Sequence, residues 1–182
     1  YGPIKRRGEA AGQHDQLAAR KAFRSVGPSQ NRTPAAPPPS GPEYLLVDGY
    51  NVIFAWDELK KIAAENLDAA RRRLMDILCN YAGYRKCVPI LMFDAYRVKG
   101  AGREQETWHN LHVIYTREAE TADMFIERAT HELAKNHRVR VVSSDGAEQI
   151  IILGNGALRV SARAFEREVR AVEAEIREFL DQ

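Results

Sequence analysis

The chain has 182 residues and 45% hydrophobic content, enough for one ordinary soluble domain and a tail. No apolar run is long enough to span a bilayer, the N-terminus YGPIKRRGEA lacks the apolar core of a signal peptide, and two cysteines, Cys79 and Cys87, are too few for a disulfide framework or a cysteine-rich zinc site. The net charge of +2 is uneven: residues 1–42 hold seven Lys/Arg against Glu9 and Asp15, or +5, which leaves about −3 for the rest.

Seven of the eight prolines precede residue 43, and RTPAAPPPSGPE (Arg32–Glu43) can form neither helix nor sheet ladder. Residues 1–42 are therefore expected to be a basic, disordered tail or interdomain linker, and 43–182 the folded domain. A basic tail on a near-neutral domain suits a polyanion or a large partner, and equally a solubilising linker. The start at Tyr1 rather than Met suggests a fragment or a processed chain.

From Tyr44 the pattern changes. YLLVD (Tyr44–Asp48) is a short apolar run that fits a strand buried on both faces. Leu67, Ala70, Leu74, Ile77, Leu78 and Tyr81 recur at steps of three and four, predicting an amphipathic helix with Asn66 as its N-cap. VPILMFD (Val88–Asp94) is a second strand and LHVIYT (Leu111–Thr116) a third. Residues 118–135 read as a helix, and VRVVSSD (Val139–Asp145) as a fourth strand. A short helix is expected over 146–153, a short strand at Ala157–Ser161 and a final helix carrying Phe165, Val169, Val172, Ile176 and Phe179. Strands alternating with helices imply a mostly parallel sheet of four to five strands, whose C-terminal ends share one edge. Open α/β folds bind ligands at that edge.

Three of these strands end in an acid: Asp48, Asp94 and Asp145. Glu120 and Asp123 lie three apart near the start of the next predicted helix, on one face and close to the same edge. Converging carboxylates raise one another's pKa unless a hard cation compensates them, and Mg²⁺ or Mn²⁺ prefers such oxygen ligands. Each acid also has a local reading. DGAE at Asp145 is a capping box, Glu120 and Asp123 suit any helix start, and Asp48-Gly49 and Asp94-Ala95 suit turns.

VDGYNVI (Val47–Ile53), MFDAYRVKG (Met92–Gly100), TREAETADMFIE (Thr116–Glu127), SSDGAEQ (Ser143–Gln149) and GNGALRVSAR (Gly154–Arg163) resemble, in that order, the YacP-like NYN domains of the PIN-like nuclease superfamily. The resemblance covers about residues 44–180. It implies a three-layer α/β/α sandwich and a Mg²⁺-dependent endoribonuclease acting on single-stranded RNA in the cytoplasm. Asp48, Asp94, Asp123 and Asp145 match its acidic cluster, with Glu120 as a further metal ligand. Asn51 matches the Asn of the family motif, where its amide would orient the first Asp or touch a phosphate; a turn or N-cap role is the local alternative. The family's link to translation implies mRNA as substrate and the ribosome as partner. The resemblance also extends to domains fused behind elongation-factor-like GTPases, which would suit the Met-less, Pro-rich start.

RVKGAGREQETWHN (Arg97–Asn110) reads as a basic loop beside the pocket. Arg97, Lys99 and Arg103 would grip phosphates, and Trp108 or Tyr96 would stack on an unpaired base; a solvated loop with Trp108 folded back onto the domain is the alternative. His109 and His112 form H-x-x-H without a nearby cysteine, which favours a structural role over zinc. Two further functions compete. A Mg²⁺-dependent phosphotransfer domain is disfavoured because a haloacid-dehalogenase-type enzyme needs an acid at Tyr50 and a receiver domain needs one at Gly49. A catalytically weak RNA- or ribosome-binding module that kept the fold is opposed only by the intact acid set.

Overall fold

The computed structural model describes residues 39–94, 105–116, 120–143, 151–152 and 156–182. They fall in one unit, Pro39–Gln182. The expectations for Asp145, Arg97, Lys99, Arg103, Tyr96 and the tail lie outside the described residues.

In chain order the elements are β1 (Tyr44–Asp48), α1 (Gly49–Ala55), α2 (Asp57–Glu65), α3 (Leu67–Arg85), β2 (Val88–Asp94), β3 (Gln105–Trp108), β4 (Leu111–Thr116), α4 (Ala122–Leu133), β5 (Val139–Ser143), β6 (Ile151–Ile152), β7 (Leu158–Ser161) and α5 (Ala162–Leu180). The strands form one sheet in the order β3-β4-β2-β1-β5-β7-β6. The five inner strands are parallel, while β3 and β6 pair antiparallel at the two borders.

The pleat of a strand sends alternate side chains to opposite faces. Leu45, Val47, Leu91, Phe93, Val142 and Val160 face one layer, formed by α1, α2, α3 and α5. Leu46, Met92, Val139 and Val141 face the other, where α4 supplies Ile126 with Phe125, Ala129 and Leu133. This is the expected α/β/α sandwich of the PIN-like kind. Trp56 is completely buried where α1 turns into α2, and its indole Nε1 donates to the carbonyl of Ala162, 2.8 Å away, at the start of α5.

α1 and α2 fill Gly49–Ala55 and Asp57–Glu65, a stretch to which the sequence pattern assigns no element. Three sequence expectations need correction. The segment read as basic loop through Asn110 ends in strand β3, which turns through His109 (φ 54°) and Asn110 into β4. Ile151 and Ile152, expected in a helix, pair with Arg159 and Leu158 as an antiparallel strand; two adjacent β-branched residues favour that state, and Gly156 takes the positive φ of 87° that the connection requires. Finally, α4 begins at Ala122 rather than 118, because the Thr121 hydroxyl accepts from the Met124 amide and closes the helix there.

Candidate active site

β1 and β2 are parallel neighbours with Asp48 paired to Met92, so Asp94 lies two residues farther along on the same face. Both carboxylates thus sit at the C-terminal edge, on the face covered by α4. Asp94 is fixed from two sides: the Ala122 amide donates to its Oδ1 at 2.7 Å, and the buried Thr116 hydroxyl lies 3.5 Å from the same oxygen. The first bond places the N-terminus of α4, with its positive dipole end, against the acid edge. Asp123 follows in that first turn.

Asp48 is the most constrained acid. It is 7% exposed and caps α1, its Oδ1 accepting from the Asn51 amide at 3.4 Å and its Oδ2 from Asn51 Nδ2 at 2.8 Å. Its pKa nevertheless rises from 3.8 to about 6. Burial is the largest cause; the two Asn51 bonds pull the other way, and the charges of Asp123 and Asp94 push it further up. Asp48 therefore feels the charges of two neighbouring carboxylates at this edge. Asn51, in the first turn of α1, donates both of these bonds to Asp48.

The approach of α1 to β2 demands Gly49. A Cβ there would overlap the Phe93 ring and lie 2.9 Å from the Met92 carbonyl oxygen. Next to it Tyr50 is buried, packs on Phe93 at 5.0 Å between ring centres, and accepts at its hydroxyl from Arg71.

Two predicted residues are not brought to this cluster. Glu120 precedes the N-cap of α4 instead of riding on the helix, and it pairs with Arg128 at 2.9 Å. Trp108 stands opposite Leu111, at the far end of β4 from Thr116, with its indole Nε1 3.4 Å from Asp76 Oδ1. Residues that sequence reasoning misses are Thr116, Ser143 and Arg159. Thr116 and Ser143 are buried hydroxyls ending β4 and β5, and Arg159 Nε donates to Ser143 Oγ at 3.1 Å. A hydroxyl at the last position of a buried strand is the signal that could have marked the first two. Cys79 and Cys87 are free thiols, and Cys79 Sγ lies 3.4 Å from the Trp108 carbonyl oxygen.

The donor set is oxygen-only, partly desolvated and negatively charged, which suits a hard divalent cation better than a soft one. Among the described residues no three such side chains already close on one point, and Asp145 is not among them. Also among the described residues, no helix is long and apolar enough to cross a membrane.

The profile of the YacP-like NYN domain matches residues 45–182. The chain is 43% identical over 135 residues to the Bacillus subtilis (strain 168) protein called "Uncharacterized protein YacP", covering 74% of this chain and 79% of that one. It is similar to the crystal structure of Rae1 (YacP) from Bacillus subtilis, with a TM-score of 0.64 and 41% identity over 76% of this chain and 79% of that one. The crystal structure of a point mutant of Rae1, from the same organism, gives 0.63 and 39%, over 75% and 80% of the two chains. With the sandwich, the acid edge and the Asp48–Asn51 pair all in place, the chain belongs to the YacP-like NYN domain family, and its fold is nuclease-like.

Proposed function

We propose that this chain is a metal-dependent endoribonuclease that cuts single-stranded RNA, with mRNA at the ribosome as its natural substrate. The observation that carries the reading is the state of Asp48: a buried carboxylate, held in place by Asn51, that shares its edge with the charges of Asp94 and Asp123. A fold gains nothing from crowding acids in this way, and the crowding is relieved when a cation binds.

Asp48, Asp94 and Asp123 would hold Mg²⁺ or Mn²⁺, joined by Asp145 on the sequence pattern. When bound, such an ion supplies activation of water and stabilisation of the charge that develops on a phosphate. The chain's own residues do the positioning. Asn51 fixes the rotamer of Asp48, while the Ala122 amide and the Thr116 hydroxyl fix Asp94, so the acids need little rearrangement to act as ligands. Arg97, Lys99 and Arg103 are proposed phosphate contacts on their sequence alone.

The test is cleavage of an unstructured RNA with Mg²⁺ and with Mn²⁺, in the presence and absence of ribosomes. Asp48→Asn and Asp94→Asn are each expected to abolish cleavage while far-UV circular dichroism stays unchanged. A wild-type protein that leaves RNA intact under every one of these conditions refutes the nuclease reading and favours a docking module.

A further inference from the structure

On the opposite face of the sheet from the acids, a cleft of about 360 Å³ opens between α3 and the β3–β4 border. Asp68, Arg72 and Met75 line it from one face of α3, at helical spacing. Glu106 and Trp108 line it from one face of β3, and Tyr115 from β4. The strand-borne residues share a face because 106 and 108 stand opposite 113 and 111, two and four residues before 115.

The chemistry of the lining is uneven in an informative way. Trp108 and Tyr115 are half-buried, and Met75 forms an apolar floor. Tyr115 stacks on Phe93, with 6.0 Å between ring centres and 26° between planes, so its ring is held at a fixed angle. Trp108 is held by Asp76 through its indole and by Cys79 through its carbonyl. Asp68 is committed to Arg71 and Arg72, at 3.1 and 3.2 Å. Glu106 differs: it is half-buried beside Tyr115, whose phenol pKa is raised by burial first and by the Glu106 charge second, and it has no hydrogen-bond or ion-pair partner among the described residues. At the rim the Arg72 side chain is 70% exposed.

We propose that this cleft takes an unpaired guanine of the RNA. Rigid aromatic walls and a sulfur-lined floor suit the flat faces of a base. The Glu106 carboxylate, without a partner among the described residues, offers two adjacent acceptors, which match the adjacent N1–H and N2–H₂ donors on the Watson–Crick edge of guanine. Adenine presents one donor there beside an acceptor that the carboxylate repels, and uracil presents one donor between two acceptors. Arg72, exposed at the rim and paired there with Asp68, would be the cation to meet a phosphate attached to the bound nucleoside. The acid edge is close by along the chain: Tyr115 precedes Thr116, which pairs with Asp94. A strand lying across the edge would place its scissile phosphate on one face and a neighbouring base on the other. The cleft would thereby set which sequence is cut, and this assignment rests on the ribonuclease reading above.

The binding test needs no cleavage. Guanosine, adenosine, cytidine and uridine 5′-monophosphates are titrated into the full chain in EDTA, following tryptophan fluorescence, with Trp108→Phe as the control for which indole responds. Wild-type protein is expected to bind the guanosine nucleotide about tenfold or more tightly than the adenosine one, the discrimination typical of a two-donor contact. Glu106→Gln should erase that preference, and Asp48→Asn should keep it. The second test maps cut sites in unstructured RNA: the wild type should favour a guanine at a fixed position near the cut, and the cuts that Glu106→Gln still makes should lack that bias. Equal binding of all four nucleotides by the wild type, or a preference untouched by Glu106→Gln, overturns the cleft assignment. Guanine-selective binding by a protein that never cuts RNA overturns the nuclease reading and leaves the cleft standing.

Discussion

Neutralising Asp48 should make the metal-free fold stronger while destroying its activity. In the folded chain the carboxyl titrates near pH 6, against 3.8 for an ordinary aspartate. The folded state therefore holds a proton that the unfolded chain has released, and the favourable contribution is complete only below the unfolded value. It declines as pH rises and is gone once pH has passed the folded value. At about 1.4 kcal/mol per pH unit, a displacement from 3.8 to about 6 costs the ionised protein about 3 kcal/mol at pH 8. In Asp48→Asn an oxygen remains to accept from the Asn51 amide, but its new NH₂ group meets Asn51 Nδ2, and turning one of the amides costs about 1 kcal/mol. The expected net gain is about 2 kcal/mol at pH 8 in EDTA, read by urea denaturation, and it should shrink by about 1.4 kcal/mol at pH 5. Saturating Mg²⁺ should raise the stability of the wild type at pH 8 and leave the variant nearly unchanged. An Asp48→Asn protein less stable than wild type at pH 8, or one whose advantage does not vary with pH, would show that the buried Asp48 charge does not weaken the metal-free fold.

Three further outcomes follow from the packing. Asp94→Ala removes the acceptor for the Ala122 amide and should cost about 1–2 kcal/mol in a denaturant titration, whereas Asp94→Asn keeps an acceptor and should cost less, though both should lose cleavage. Gly49→Ala forces a methyl group into the Phe93 ring and the Met92 carbonyl, so it should destabilise by about 1–3 kcal/mol and lower the thermal midpoint. Arg140 donates to both oxygens of Glu168 and to the Tyr81 hydroxyl, and its Nε lies 3.1 Å from Glu43. Arg140→Met should cost about 3 kcal/mol by stranding these acids, and adding Glu168→Leu should recover part of that loss in a double-mutant cycle.

The parts of this fold that could be read from sequence are those whose residues are dictated by the core. β1, β2, β4 and β5 are apolar runs because both their faces are covered, and α3 and α5 carry stripes because only one side of each is. α1 escapes detection since it is seven residues long and buries Gly49, Tyr50, Val52 and Ile53, which leaves no polar face to define a period. β3 is a polar stretch, QETW, that becomes a strand only through its ladder with β4. The acids of β1 and β2 are legible because strand direction alone brings them together. Glu120 is misplaced by the helix start: with Thr121 as the cap, spacing along the helix no longer governs where it points. No periodicity could reveal the cleft, which is assembled from α3, β3 and β4.

The bond from the Ala122 amide to Asp94 ties the outer helix of one layer to a carboxylate of the central sheet. That single N–H is a natural reporter of what happens at the acid edge. A cation shared between the strand ends and Asp123 would clamp both ends of the bond and slow exchange of the amide with solvent deuterium. The first turn of α4 should therefore register occupancy of the site as a change in local opening, well before any change in overall shape.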